Sequence, residues 1–223
     1  MKLHTTGATS GVRAVALVLH GGEEVSTVRA TRWYPAYLRM IPFARALSRT
    51  PGVSVWQLCN TYRGWNEPDR HPVADARRAL EAIRRAYPGV PVALVGHSMG
   101  GRVGLRVADD PAVVGVCALA PWTPEGEPVA QLAGRTVLIA HGDRDRTTDP
   151  ALSYSYAQRA KEVTATVARF DVRREAHALL LRYPEWTRLV RRFTLGVLGV
   201  TGLDRDIADA LAEPAPAGLR VPV

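Results

Sequence analysis

Six short runs of nearly uninterrupted apolar residues recur along this chain, and no other feature narrows its possible folds as much. They are Arg13–His20, Val53–Cys59, Pro91–Gly96, Val113–Ala120, Thr136–His141 and Thr164–Val172. A strand buried on both faces reads as a continuous apolar run, whereas a strand with one wet face alternates. Longer segments, several with helical spacing, separate the runs, so neighbouring strands must be parallel and joined by right-handed crossovers. The expected architecture is a three-layer α/β/α sandwich around a mostly parallel sheet of about six strands.

The clearest helix runs from Pro72 to Tyr87, with Val73, Ala76, Leu80, Ile83 and Tyr87 on one face. Asp75, Arg77, Arg78, Glu81, Arg84 and Arg85 are assigned to the other face, and Pro88-Gly89 ends the element. Asp149-Pro150 begins a second helix reaching about Val163, with Asp149 as its cap. Pro184 opens a third, to about Leu198, and a weaker one between Arg32 and Arg49 is interrupted by Pro35 and Pro42. With 223 residues the chain is expected to form one domain over 1–223, with loose ends at 1–12 and 213–223.

The formal net charge is +8, and Lys2 and Lys161 are the only lysines. The arginines fall as scattered pairs, such as Arg77-Arg78, Arg84-Arg85, Arg173-Arg174 and Arg191-Arg192, rather than as a stripe interleaved with aromatics. A solvated surface is therefore expected, with neither nucleic acid nor membrane as partner. Cys59 and Cys117 lie in apolar strands and suit a reducing compartment. Residues 1–13 carry no apolar leader, and no segment is long enough to span a bilayer, so a cytoplasmic location is expected.

The chemistry centres on Gly96-His97-Ser98-Met99-Gly100, set between a strand and a helix. So tight a turn needs glycine at 96 and 100. It lifts the Ser98 hydroxyl clear of the sheet and leaves the Met99 amide at a helix N-terminus, facing any developing oxyanion. A serine hydroxyl needs a base. Of six histidines, His177 follows the last long strand on a loop over the sheet's C-terminal edge, in the order nucleophile, acid, base. An acid to orient it is expected after the preceding strand, in His141-Gly142-Asp143-Arg144-Asp145; Asp145 is preferred, with Asp143 the alternative. A second oxyanion amide is expected from Gly22 or Glu23, after the first long strand.

At these residues the chain resembles the α/β-hydrolase superfamily over roughly Arg13 to Leu198. Three pieces stand in the family's order: His20-Gly21-Gly22, Gly-His-Ser-Met-Gly around Ser98, and His141-Gly142-x-x-Asp145 followed by His177. Tyr62-Arg63-Gly64-Trp65-Asn66, Ala120-Pro121-Trp122 and the richness in arginine are similar to compact hydrolases of high-GC actinobacteria. The resemblance implies a serine hydrolase acting on an ester or thioester of small to medium acyl size through an acyl-serine. It implies no cofactor, and the histidines lack the paired spacing of metal ligands. Two departures matter. Only residues 1–12 precede Arg13, where members usually carry two antiparallel strands, and Pro121–Gly134 is too short for a cap domain. Trp33, Trp65 and Trp122, with Tyr34 and Tyr37, are candidates to wall a substrate pocket. The competing reading is a catalytically silent member that binds a small ligand or a protein. Nothing in the sequence identifies an oligomeric interface.

Overall fold

The computed structural model describes residues 1–223. In chain order the elements are β1 (Lys2–Gly7), β2 (Ala14–Leu19), α1 (Pro35–Ser48), β3 (Val53–Cys59), α2 (His71–Ala86), β4 (Val92–His97) and α3 (Met99–Arg106). Then come β5 (Val113–Leu119), β6 (Thr136–Gly142), α4 (Pro150–Val163), β7 (Val167–Val172), α5 (Tyr183–Val197), α6 (Arg205–Ala212) and β8 (Val221–Pro222). They build one eight-stranded sheet in the order β1-β3-β2-β4-β5-β6-β7-β8, antiparallel only at β1.

The six apolar runs are the six inner strands. Every residue of β2 and of β4 is buried, because helices cover both faces. On one face α1, α5 and α6 bring Met40, Phe43, Trp186, Phe193 and Ile207 against Ala16, Val18 and Val95. On the other, α2, α3 and α4 bring Leu80, Ile83, Val103 and Tyr156 against Leu17, Leu94 and Ile139. Between β5 and β6 there is only loop and one 3₁₀ turn at Ala130–Leu132, so no cap domain covers the sheet edge.

Both ends of the chain depart from expectation. Residues 2–7 are not loose: they pair antiparallel with β3, from Lys2 opposite Cys59 to Gly7 opposite Ser54. Residues 221–222 pair with β7, and Gly218 and Leu219 just before them are buried. Neither strand shows an apolar pattern because each is held at a sheet edge by backbone hydrogen bonds, which leave no mark on side-chain composition. The sheet therefore has eight strands rather than about six. Pro35 begins α1, and Pro42 lies inside it without ending it.

Asp75 also departs from its expected place. It is buried, not on the wet face of α2, and its carboxylate accepts the Thr61 amide at 2.6 Å and the Thr61 hydroxyl at 3.0 Å. That ties α2 to the loop after β3. A second buried polar contact joins α3 to the loop after β5. Arg102 and Arg106 both reach Glu127, whose side chain is 1% exposed, and Arg102 lies between the rings of Trp65 and Trp122, 3.9 and 4.4 Å from their centroids. Glu127→Ala would leave the Arg102 guanidinium buried without its carboxylate. A stability loss of about 3–5 kcal/mol is expected in denaturant unfolding.

Candidate active site

The site is assembled at the C-terminal ends of β2, β4, β6 and β7, where the parallel sheet presents its loops. At the end of β4 the chain reverses sharply, and Ser98 takes φ 54° and ψ −121°, a left-handed conformation that costs a non-glycine residue of order 1–3 kcal/mol. The surroundings enforce it. The Ser98 amide donates to the Leu119 carbonyl at 2.9 Å, and its carbonyl accepts from Arg102 at 3.1 Å and Trp122 at 3.2 Å. A side chain at Gly96 would overlap the Gly100 carbonyl, and one at Gly100 would overlap those of Leu19 and His20. Both glycines are therefore required by close backbone approach.

Three side chains named from the sequence meet here. Ser98 Oγ lies 3.0 Å from His177 Nε2, and His177 Nδ1 lies 2.7 Å from Asp145 Oδ2. The carboxylate accepts a hydrogen bond from Nδ1–H, which leaves the Nε2 lone pair facing the serine hydroxyl. Asp143 does not share this arrangement; it is exposed, and its side chain makes no hydrogen bond. Asp149 caps α4 as expected, accepting the Ala151 amide at 2.8 Å.

Asp145 is fully enclosed and accepts more donors than its sequence context indicates. Oδ1 takes the amides of Thr147 (2.8 Å) and Thr148 (3.0 Å), while Oδ2 takes the Thr148 hydroxyl (2.9 Å) and also faces His141 Nε2 at 3.1 Å. Burial alone would push its pKa up. Hydrogen bonds from His141, His177 and the two amides more than reverse this and hold the carboxyl well below the usual carboxylate range.

Two further residues hold the loop that carries His177. His97 Nε2 donates to the His177 carbonyl at 2.9 Å, with the two rings 4.8 Å apart. Glu175 is buried, and its carboxylate accepts the Arg182 amide at 2.6 Å and the Trp186 indole at 3.2 Å. Gly142 has no side chain because one would overlap the Glu175 carbonyl. Sequence reasoning missed His141, His97 and Glu175 in these roles: the partner of His97 lies 80 residues away, and the contacts of His141 and Glu175 are made by loops that carry no regular pattern. The spacing His141-x-x-x-Asp145 was the one available signal.

On the opposite side the loop after β2 passes beside the serine. A Cβ on Gly21 would sit 3.3 Å from that of Ser98, and one on Gly22 would overlap the Met99 side chain and the Arg63 carbonyl. His20 Nδ1 donates to the Gly21 carbonyl at 2.6 Å while Nε2 accepts the Asn60 amide at 3.2 Å. Glu23 does not fit its expected role, because its amide is donated to the Arg63 carbonyl at 2.9 Å. Gly22 and Met99 give their amides to no backbone acceptor, Met99 because the first amides of a helix have none.

The tryptophans are placed differently from expectation. Trp65 is wholly buried and lines no pocket; its indole donates to Glu67 at 2.9 Å. Trp122 stacks on Arg102 and touches the bend through its amide rather than its ring. Trp33 is 69% exposed, under Arg32, in a groove with His4, Tyr37 and Ile41 beside α1. All three were apolar surface in search of contact, and a charged or peripheral partner satisfied each. No group of three His, Cys, Asp or Glu side chains is arranged to hold a metal ion.

With this geometry in place, the comparison with known proteins is direct. A family model described as the alpha/beta hydrolase family matches residues 16–223. The chain belongs to that family. Its fold is similar to an alpha-beta serine hydrolase homologue from Coxiella burnetii (16% identity, TM-score 0.66, 85% of this chain and 89% of that one). It is also similar to Est1E from Butyrivibrio proteoclasticus (13% identity, TM-score 0.66, covering 88% and 93%). A third likeness is XC6422 from Xanthomonas campestris, a serine hydrolase without a lid (20% identity, TM-score 0.60, covering 89% and 88%). No curated protein matches it in sequence. No helix of this family member is long and apolar enough to cross a membrane.

Burial holds His97 and His20 neutral. Burial, followed by the charges of His177 and Arg39, lowers His97 to about 3; burial lowers His20 to about 4. In the unfolded chain both would protonate near pH ~6.5. The unfolded state therefore binds more protons between these values, and stability must fall on acidification from about pH 6.5 to about pH 4. Each histidine contributes up to about 1.4 kcal/mol per pH unit in that window. Unfolding free energies measured across it should show this slope, and His97→Gln should make it shallower.

Proposed function

We propose that this α/β-hydrolase is a serine hydrolase that cleaves a carboxylic ester or thioester of small to medium acyl size through an acyl-serine intermediate. The supporting observation is the continuous hydrogen-bonded relay from Ser98 Oγ through His177 to Asp145, at 3.0 and 2.7 Å. Ser98 attacks the carbonyl carbon as His177 Nε2 takes the hydroxyl proton, and Asp145 stabilises the imidazolium that results. The negative oxygen is received by the amides of Met99 and Gly22, each such donor being worth about 10²–10³ in rate. His177 then returns the proton to the leaving alcohol or thiol. It next takes one from water as the water oxygen attacks the acyl carbon, and gives that proton to Ser98 Oγ as the acid departs. The esterase neighbours of the same fold, such as the Bacillus cereus carboxylesterase, agree with this class of reaction. The partner is a small-molecule substrate, and no cofactor enters the scheme.

A fluorophosphonate probe should label the protein stoichiometrically, and Ser98→Ala should abolish labelling. Folded wild-type protein that resists the probe would favour the silent ligand-binding reading. Asp145→Asn should reduce turnover of 4-nitrophenyl esters by up to ~10⁴, the scale of losing the correct tautomer. Asp143→Asn should stay within a few-fold of wild type, and the reverse ranking would reject the assignment.

A further inference from the structure

Two arginines on segments that adjoin the Ser98 site have no partner in the protein. Every other buried or half-buried arginine gives its guanidinium to a carboxylate or a carbonyl: Arg84 to Asp110, Arg102 and Arg106 to Glu127, Arg169 to Asp171 and Arg159 to the Glu127 carbonyl, among others. Arg39 and Arg63 are half-buried, yet neither side chain makes a hydrogen bond or an ion pair. Arg63 Nε is entirely enclosed and unsatisfied. A guanidinium cannot shed its charge, and its planar fork matches a carboxylate or a phosphate.

One lies on the segment that supports the loop after β2, the other across a cleft from the loop that carries His177. Arg63 belongs to the segment that holds the oxyanion loop: its carbonyl accepts the Glu23 amide and abuts Gly22, and its guanidinium lies 4.8 Å over the Tyr34 ring. Stacked this way, the cation spends none of its N–H donors on the ring. Arg39 is on α1, on the side of the loop that carries His177. It is the one charged residue lining a cleft of about 300 Å³ formed with Leu38, Pro42, Phe43, Leu179 and Leu180, the last two following His177 closely in the chain. The two arginines share a neighbourhood. Burial and Glu23 push the Tyr34 phenol up, and Arg63 and Arg39 both pull against them. Arg39 is also felt at His97, next to the nucleophile. The one acidic group at this rim with a protein contact, Glu23, accepts from the Tyr34 hydroxyl at 3.2 Å and ion-pairs with neither arginine.

We propose that Arg39 and Arg63 bind an anionic group on the substrate, so that the natural substrate is a small ester or thioester carrying a carboxylate or a phosphate close to the scissile carbonyl. The proposal rests on the hydrolase reading of Ser98 and narrows it. The apolar cleft around Arg39 takes the short chain between the carbonyl and the anion.

The test compares kcat/KM for mono-4-nitrophenyl glutarate with that for 4-nitrophenyl hexanoate, an ester of similar length without the charge. Wild type should prefer the anionic ester at least about tenfold, and the preference should shrink as salt is raised. The ratio should fall at least about tenfold in Arg39→Gln and in Arg63→Gln, while the Lys variants keep part of it. Equal rates on the two esters, or a preference untouched in both Gln variants, overturns the proposal and leaves the hydrolase reading standing. Calorimetric titration of the Ser98→Ala protein with glutarate and with inorganic phosphate gives a readout independent of turnover and tells which anion is preferred. Binding that weakens when either arginine is also changed to Gln supports the site. If neither ester is turned over while that binding holds, the hydrolase reading falls and the anion site stands; absence of binding by both anions overturns the site.

Discussion

The left-handed bend at Ser98 is the constraint around which the rest of the site is arranged. A non-glycine residue rests there only because its neighbours determine the backbone from three directions: Leu119 takes its amide, and Arg102 and Trp122 supply its carbonyl. The two glycines that flank it allow β4, α3 and the end of β2 to come into backbone contact. Relaxing the bend would turn the hydroxyl away from His177 and withdraw the Met99 amide from the helix N-terminus. Strain at one residue is thus balanced by packing between the sheet and its helices, the layer in which the fold is most tightly buried.

Around that bend, polar groups are buried in a connected network rather than singly. Asp145 is served by two imidazoles, a hydroxyl and two amides. His97 secures the backbone of the residue whose ring faces Ser98. Glu175 ties the start of α5 to the same loop. A buried carboxylate with every lone pair occupied is rigid as well as stable, because no single donor can leave without exposing the charge to a medium of low dielectric. The loop that carries His177 has no regular structure of its own, and these contacts take the place of a strand or helix in fixing it.

The basic composition has a comparable logic. Arginines below the surface are matched to carboxylates across element boundaries, as Arg102 and Arg106 are to Glu127 and as Arg192 is to Asp204. In this way the chain carries its charge without isolated buried cations, which would be costly. Arg39 and Arg63 break that pattern, on segments that adjoin the Ser98 site.

Much of this was legible in advance. Inner strands and the strand-helix bend follow from apolar periodicity and glycine spacing, because each depends on interactions within a few residues of chain; the residue types of the relay, whose members lie 32 and 79 residues apart, follow from their order along the chain. Edge strands β1 and β8, the burial of Asp75 and the position of Glu23's amide were not legible. They depend on backbone hydrogen bonds and partners from distant segments, which side-chain patterns do not record. The tryptophans show the limit most clearly: hydrophobicity marked Trp65 as buried or pocket-lining, and only the arrival of Arg102 against its ring decided between them. The sequence by itself determined a parallel sheet, a serine on a cramped turn and an imidazole in the correct chain order. The tertiary structure alone decided which aspartate meets that imidazole and which amides are left free. It also decided which arginines are left without partners, since these are properties of loops that meet only once the sheet has brought their ends together.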